Sequence, residues 1–292
     1  SGPVGEAPPS VVRTSRSGPV GLVAGSTFDL HADEAGVVWD FTRPSDRKRA
    51  WERIRAEEPF LVVGSPPCTM FSRLQVNLNA NKMGKVEWEK RRRSAEVLLV
   101  FAVAVYKLQV LAGRHFLHEH PAGATSWTHP AVVKLRARHG VEAVVAHQCE
   151  FGLQTSVDGG GPRASARKPT RFMSSSPAVL EALSRKCQGG HAHASLLGGT
   201  RARDAAVYPR GLCQAIGRGA AEQLRRDERA DWYTAAASAS SVPPAGLTQT
   251  FILVLGAAAA SASSPAQTST LDIAAVRGGD EVRCGDAQGR TK

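Results

Sequence analysis

Between about residue 46 and residue 226 the apolar positions fall into two rhythms, and each predicts a different element. The segment Asp46 to Glu57 places Ala50, Trp51, Ile54 and Ala56 among charged residues and predicts a helix. PFLVVG follows as a short, wholly apolar run, the kind buried on both faces of a parallel sheet. From Glu87 to about Ala112 a long helix is predicted, basic at first (EKRRR), then strongly apolar, and ended by Gly113. HFLHEHP reads as the next strand, stopped by Pro121. Further helices are expected over Pro130 to His139, Pro177 to Lys186 and Gly211 to Arg226, with strands over Val141 to His147 and Arg171 to Ser174. Strands alternating with helices predict an α/β fold with a doubly wound, mostly parallel sheet.

The flanks follow neither rhythm. Residues 1–26 are rich in Gly, Pro, Ser and Val and read as a flexible lead-in to a main domain over 27–230. Residues 231–292 shift to Ala and Ser around a lone apolar patch, TFILVLG. A single patch between low-complexity stretches predicts a mostly disordered tail, the alternative being a strand buried against the main domain. Aromatic residues make up only 6% of the chain, consistent with incomplete folding. The chain opens on SGPVGEAPPS rather than Met, as a fragment or processed product would. No secretory signal is expected, and the apolar run Val97 to Tyr106 is too short to span a bilayer, so no membrane partner is expected.

Charge narrows the partners. A formal net charge of +11 suits an anionic partner such as nucleic acid, or simply a basic soluble enzyme. Five cysteines, an odd number without regular spacing, argue against a disulfide framework and for the nucleus or another reducing compartment. A monomer is expected.

In open α/β sheets ligands bind at the carboxyl ends of strands, and two such ends carry unusual residues. GSPPCTMFS follows PFLVV directly. Its two prolines fix the backbone and present Cys68 at the sheet crest, where positive charge or helix N–H groups can activate a thiol. The plainer alternative is a buried, inert cysteine. Glu119 ends the next strand, and lies near Cys68 if the two strands are neighbours; otherwise it is a capping or salt-bridged glutamate. Lys90 to Arg93, and Arg163, Arg167, Lys168 and Arg171, are candidate phosphate contacts, or solvated residues of a helix face and a loop. Cys187, His191 and His193, with Cys149 or Cys213, are donors that suit zinc. Their spacing matches neither a zinc knuckle nor a standard finger, so no metal is expected. DGGGP has no lysine–threonine pair behind it and is no phosphate loop.

GSPPCTMFS, with its Phe71-Ser72 pair, resembles the Pro-Cys loop of cytosine-5 DNA methyltransferases. HEHP resembles that family's Glu-Asn-Val segment, and HQCEFGL with RKPTRFM its Tyr-Gly segment and Gln-x-Arg-x-Arg strand. WDFTRP resembles the acidic motif at the adenine end of the cofactor site, and AAVYPRGLCQAI the closing motif and its helix. The order agrees throughout, over roughly Thr27 to Leu224, and the spelling is most like the divergent domains carried by eukaryotic retroelements.

The resemblance implies a Rossmann-like methyltransferase fold acting on DNA with S-adenosylmethionine as donor. Cys68 would add to carbon 6 of cytosine, Glu119 would hold the base's Watson–Crick edge, and Arg171 would support the base or the Cys68 loop. Asp29, Asp40 and Pro66 would lie at the cofactor, and Ser72, Arg167 and Lys168 at the nucleic acid. The target base must be flipped out or single-stranded. Two features depart from the family. No Phe-x-Gly-x-Gly cofactor loop is found, and His120 replaces an asparagine. The segment before AAVYPRGL, where the family keeps its target-recognition region, is also very short. Two other functions are therefore weighed: an inactive, nucleic-acid-binding descendant in a mobile-element polyprotein, and a thiol hydrolase pairing Cys68 with His115, His118 or His120.

Overall fold

The computed structural model describes residues 22–30, 36–72, 83–157, 162–197, 201–237 and 250–255. Within them the chain runs β1 (Leu22–Phe28), α1 (Pro44–Glu57), β2 (Leu61–Gly64), α2 (Lys85–Leu111), β3 (His115–Pro121), α3 (Pro130–Arg136) and β4 (Glu142–His147). A small hairpin, β5 (Gln154–Ser156) and β6 (Arg163–Ser165), leads to β7 (Pro169–Ser174), α4 (Pro177–Leu183), α5 (Arg201–Asp204), α6 (Arg210–Ala237) and β8 (Thr250–Leu255).

Local chemistry sets the element ends. Pro44 opens α1 with a preset φ, and Asp46 lies in its first turn, where a negative charge complements the helix dipole. Ser176 caps α4 by accepting the Val179 N–H, and His129 caps α3 by accepting the Ala131 N–H. Gly113, at φ +68, takes the left-handed turn that releases the chain from α2 into β3.

The sheet is mixed, in the order β1-β8-β2-β3-β7-β4. β1, β8, β2 and β3 are mutually parallel, while β7 runs antiparallel between β3 and β4. Five of the six strands thus run one way and β7 alone runs against them, so the sheet of this α/β fold is mixed. The chain leaves β4 through the β5–β6 hairpin rather than a crossover helix, and so returns with its direction reversed.

Alternation along the strands separates two cores. Val62, Phe116 and Met173 pack with α1, α2 and α3, whereas Leu61, Val63, Leu117 and Phe172 pack with α4 and α6. By length and composition α2 is apolar enough to cross a membrane. Here Leu99, Ala102, Val103, Tyr106 and Gln109 are buried, and Gln109 donates to the carbonyls of Pro59 and His115 at the feet of β2 and β3.

The flanks differ most from expectation. β1 begins at Leu22, inside the predicted lead-in, and α6 continues to Ala237. TFILVL, expected within a mostly disordered tail, forms β8 and pairs in parallel with both β1 and β2. The rest of that tail lies outside the described residues.

Candidate functional site

β2 ends at Gly64, which pairs with His118 of β3. A Cβ on Gly64 would stand 1.9 Å from the Tyr106 hydroxyl, so only glycine admits that ring beneath the strand end. The Ser65-Pro66-Pro67-Cys68 turn follows at the carboxyl edge. His120 holds it from below. The His120 Nε2–H donates to the Pro66 carbonyl at 2.8 Å, and Nδ1 accepts the Ser126 hydroxyl at 2.6 Å. Phe71 donates its N–H to the Cys68 carbonyl at 3.0 Å, winding Thr69–Phe71 into a 3₁₀ turn, and packs its ring 5.8 Å from His120. The histidine that departs from the family spelling is thus the group that fixes the Cys68 loop. Ser72 closes the turn with its N–H on the Thr69 carbonyl.

Burial pushes the Cys68 thiol above the ordinary cysteine value, and the negative charge of Glu119 adds to that; Lys168 and a backbone hydrogen bond pull it back. The resting group is therefore a thiol at neutral pH. Glu119 is itself buried, and its Oε1 has no hydrogen-bond partner. The Tyr208 hydroxyl bonds both the Glu119 carboxylate and Ser65, tying the strand-end acid to the start of the cysteine loop. Burial, then Glu119, raises the Tyr208 hydroxyl well above its usual range, so it stays a donor. Tyr208 was not among the expected site residues. Its only signal was its place in AAVYPRG, the segment read as the closing motif.

The cations sort differently from expectation. Lys168, expected on nucleic acid, is the one whose charge reaches Cys68. It adopts a left-handed φ of 28° and donates its ammonium to the Ala205 carbonyl at 2.7 Å. Arg171 pairs directly with His120 while Glu119 pairs with Phe172, so Arg171 lies on the opposite sheet face from Glu119. It stacks over Trp127 at 5.1 Å, and Trp127 in turn packs against His118 and His120. Arg171 thus meets the Cys68 loop through those rings, not directly. Exposed Arg167 donates to His147 Nδ1 at 3.3 Å. In the basic run of α2, Arg91 pairs with Glu87, and Arg92 with Glu89 and Glu96, which favours the solvated-face reading.

Among the described residues no hydrogen bond joins Cys68 to any of the three strand histidines. His115 bonds Asp227 at 2.8 Å and the Ser175 carbonyl. His118 meets the Tyr106 hydroxyl at 3.2 Å, and burial holds it well below its usual range. His120, also depressed by burial, has both ring nitrogens engaged.

Of the expected cofactor residues, Asp40 gives its carboxylate to the Thr42 N–H and hydroxyl and to Arg43 at 3.3 Å, ordering the turn into α1. The Asp29 carbonyl accepts the Trp39 N–H at 2.8 Å, closing the loop after β1. The Pro66 carbonyl is occupied by His120.

A second cluster lies at the far end of β4. Cys149, Cys187, His191 and His193 bring one donor atom each within 4.8 Å of one another. Their spacing gave no reason to expect a metal, because Cys149 lies far upstream of the other three. Cys213, the alternative fourth donor, is buried in the α4–α6 core.

No family model, curated protein or solved structure matches the chain.

Proposed function

We propose that this chain acts on cytosine in DNA as the cytosine-5 methyltransferases do, by covalent addition of Cys68 to carbon 6 of the base, on a Rossmann-like scaffold. One observation carries the reading. Two adjacent parallel strands bring a loop-held thiol and a buried carboxylate with an unsatisfied oxygen to the same sheet edge. An orphaned buried acceptor costs about 1–3 kcal/mol, which a donor on a bound base would recover. Cytosine supplies one in its exocyclic amine.

The thiol is protonated at rest, so the addition must move a proton. Glu119 takes it from sulfur and returns it to N3 of the base as the S–C6 bond forms. The C5=C6 electrons shift to form C4=C5 while the C4=N3 electrons move onto N3, which takes the proton, leaving an enamine with no net change in charge. Tyr208 and Ser65 keep the carboxylate in place through this transfer.

Two of the residues expected to hold S-adenosylmethionine already serve their own turns here, Asp40 through its carboxylate and Pro66 through its carbonyl. The supported chemistry therefore extends to the adduct. The thiol-hydrolase alternative is less favoured: His115 and His120 have both ring nitrogens engaged, and His118, whose Nε2 has no partner, is fully buried and held well below its usual range.

The test needs no methyl donor. Carbon 5 of the enamine takes a proton from water and loses either hydrogen on reversal, so DNA carrying 5-tritiated cytosine should release tritium in the presence of the protein. Release that disappears in Cys68→Ala supports the reading. No release, with salt-sensitive DNA binding retained, would instead identify an inactive nucleic-acid-binding descendant.

A further inference from the structure

The chain folds two cysteines and two histidines from separate segments onto one point, outside the Cys68 site and independent of it. Cys149 sits in the 3₁₀ turn Gln148–Phe151 that follows β4. Cys187, His191 and His193 come from the loop after α4. His147, the last residue of β4, draws the two together. Its N–H donates to the Arg185 carbonyl at 2.9 Å, and its Nδ1 accepts the Cys187 N–H at 3.0 Å. Gly189 and Gly190, at φ +93 and +83, turn the loop back on itself, and the Gly189 N–H donates to the Cys187 sulfur at 3.4 Å. The far end of the loop is pinned by the Ala194 N–H on the Ser165 carbonyl at 2.8 Å.

Two of the donor separations match a known coordination, and all four donors lie within 4.8 Å of one another. Zinc bonds thiolate at about 2.3 Å and imidazole at about 2.0–2.1 Å in a tetrahedron, which puts sulfur and nitrogen donors roughly 3.6 Å apart. The Cys187 sulfur lies 3.6 Å from His193 Nε2 and 3.8 Å from His191 Nε2. We propose that Cys149, Cys187, His191 and His193 form a zinc site of two thiolates and two imidazoles. Four protein donors leave no open position, so the ion is structural and staples the loop after α4 to the end of β4. The mixed sulfur–nitrogen set and tetrahedral spacing favour zinc over magnesium or calcium, which take oxygen ligands. Binding displaces the two thiol protons, so each zinc taken up below the thiol titration range releases two protons.

The full chain, stripped with chelator under reducing conditions, is titrated with cobalt(II). The expected result is one equivalent bound, with the intense visible bands of tetrahedral cobalt, a sulfur-to-cobalt charge-transfer band, and bleaching on addition of zinc. Cys149→Ser and Cys187→Ser should each weaken the charge-transfer band and the affinity, whereas Cys68→Ser should leave both unchanged. X-ray absorption of the zinc-loaded wild type, which needs no variant to fold, should resolve two sulfur ligands at about 2.3 Å and two nitrogens at about 2.0–2.1 Å. A weak octahedral cobalt spectrum, a spectrum unaffected by Cys187→Ser, or a Cys149–Cys187 disulfide that forms equally with and without zinc would overturn the site.

Discussion

The two halves of the sheet are held together in different ways. On one side β2, β3, β7 and β4 come from residues 61–174, and most of their helices lie between or beside them in sequence. Their contacts close over modest loops, and the Cys68–Glu119 pair lies within this half. On the other side β1 and β8 come from opposite ends of the described chain, and among the described residues β1 bonds to no strand but β8. Pairing across so long a loop carries a larger entropic cost and forms late. The half carrying Cys68 is therefore expected to be the more autonomous, whereas the β1–β8 half depends on a very distant contact.

The largest effect should come from breaking that contact. A chain ending at Ala237 loses β8, strands β1 and opens the edge of β2. The loss should take a large part of the about 5–15 kcal/mol that holds a typical domain, while leaving β3, β7 and β4 folded. Hydrogen exchange should show protection lost first in β1 and β2 and retained longest in β3, β7 and β4. An unchanged urea midpoint would remove β8 from the sheet.

Within the nucleophile half, Glu119→Gln should slow tritium exchange by about 10²- to 10⁴-fold, the usual range for lost acid–base assistance. Arg171→Ala, on the opposite sheet face, should leave the rate within the same order. A collapse of exchange in Arg171→Ala alone would put the guanidinium, not the carboxylate, at the base.

Acid should weaken the same half through its buried imidazoles. His118 and His120 are depressed below 6.5 by burial and are buried neutral in the fold. Their folded values lie below their unfolded ones, so their contribution is intact above about pH 6.5 and is lost as pH falls through that value. A chemical-denaturation midpoint followed downward from pH 7 should fall, and less steeply in His118→Phe.

The finest comparison is at sulfur. Alkylation of Cys68 should rise with an inflection above 9.0, the ordinary value. Glu119→Gln removes a raising influence and should move the inflection down. Lys168→Gln removes a lowering one and should move it up. Shifts of the same sign in both variants would show that neither charge acts on the thiol.

Much of the half carrying Cys68 was legible because its strands are short and punctuated by Pro and Gly. PFLVVG is wholly apolar and leads directly into the Cys68 loop, and HFLHEHP carries Glu119 near its end. The antiparallel course of β7 was not legible, since RKPTRFM reads alike in either direction. Nor was the sheet face of Arg171, because it is set by register against β3. TFILVLG looked isolated because its partners lie at the other end of the chain. The convergence of Cys149 with Cys187 is likewise invisible to spacing, since it depends on His147 binding the Arg185–Cys187 backbone.

The placement of β8 also has a consequence for how the protein is made. A ribosome adds about 5–20 residues per second, so β1 and β2 leave the exit tunnel well before Thr250–Leu255 is synthesised. During that interval two parallel-type edges wait for one strand, with their N–H and C=O groups unpaired and open to another chain. A nascent chain stalled before residue 250 should bind holdase chaperones or aggregate, and release of the last segment should end that vulnerability in a single pairing step.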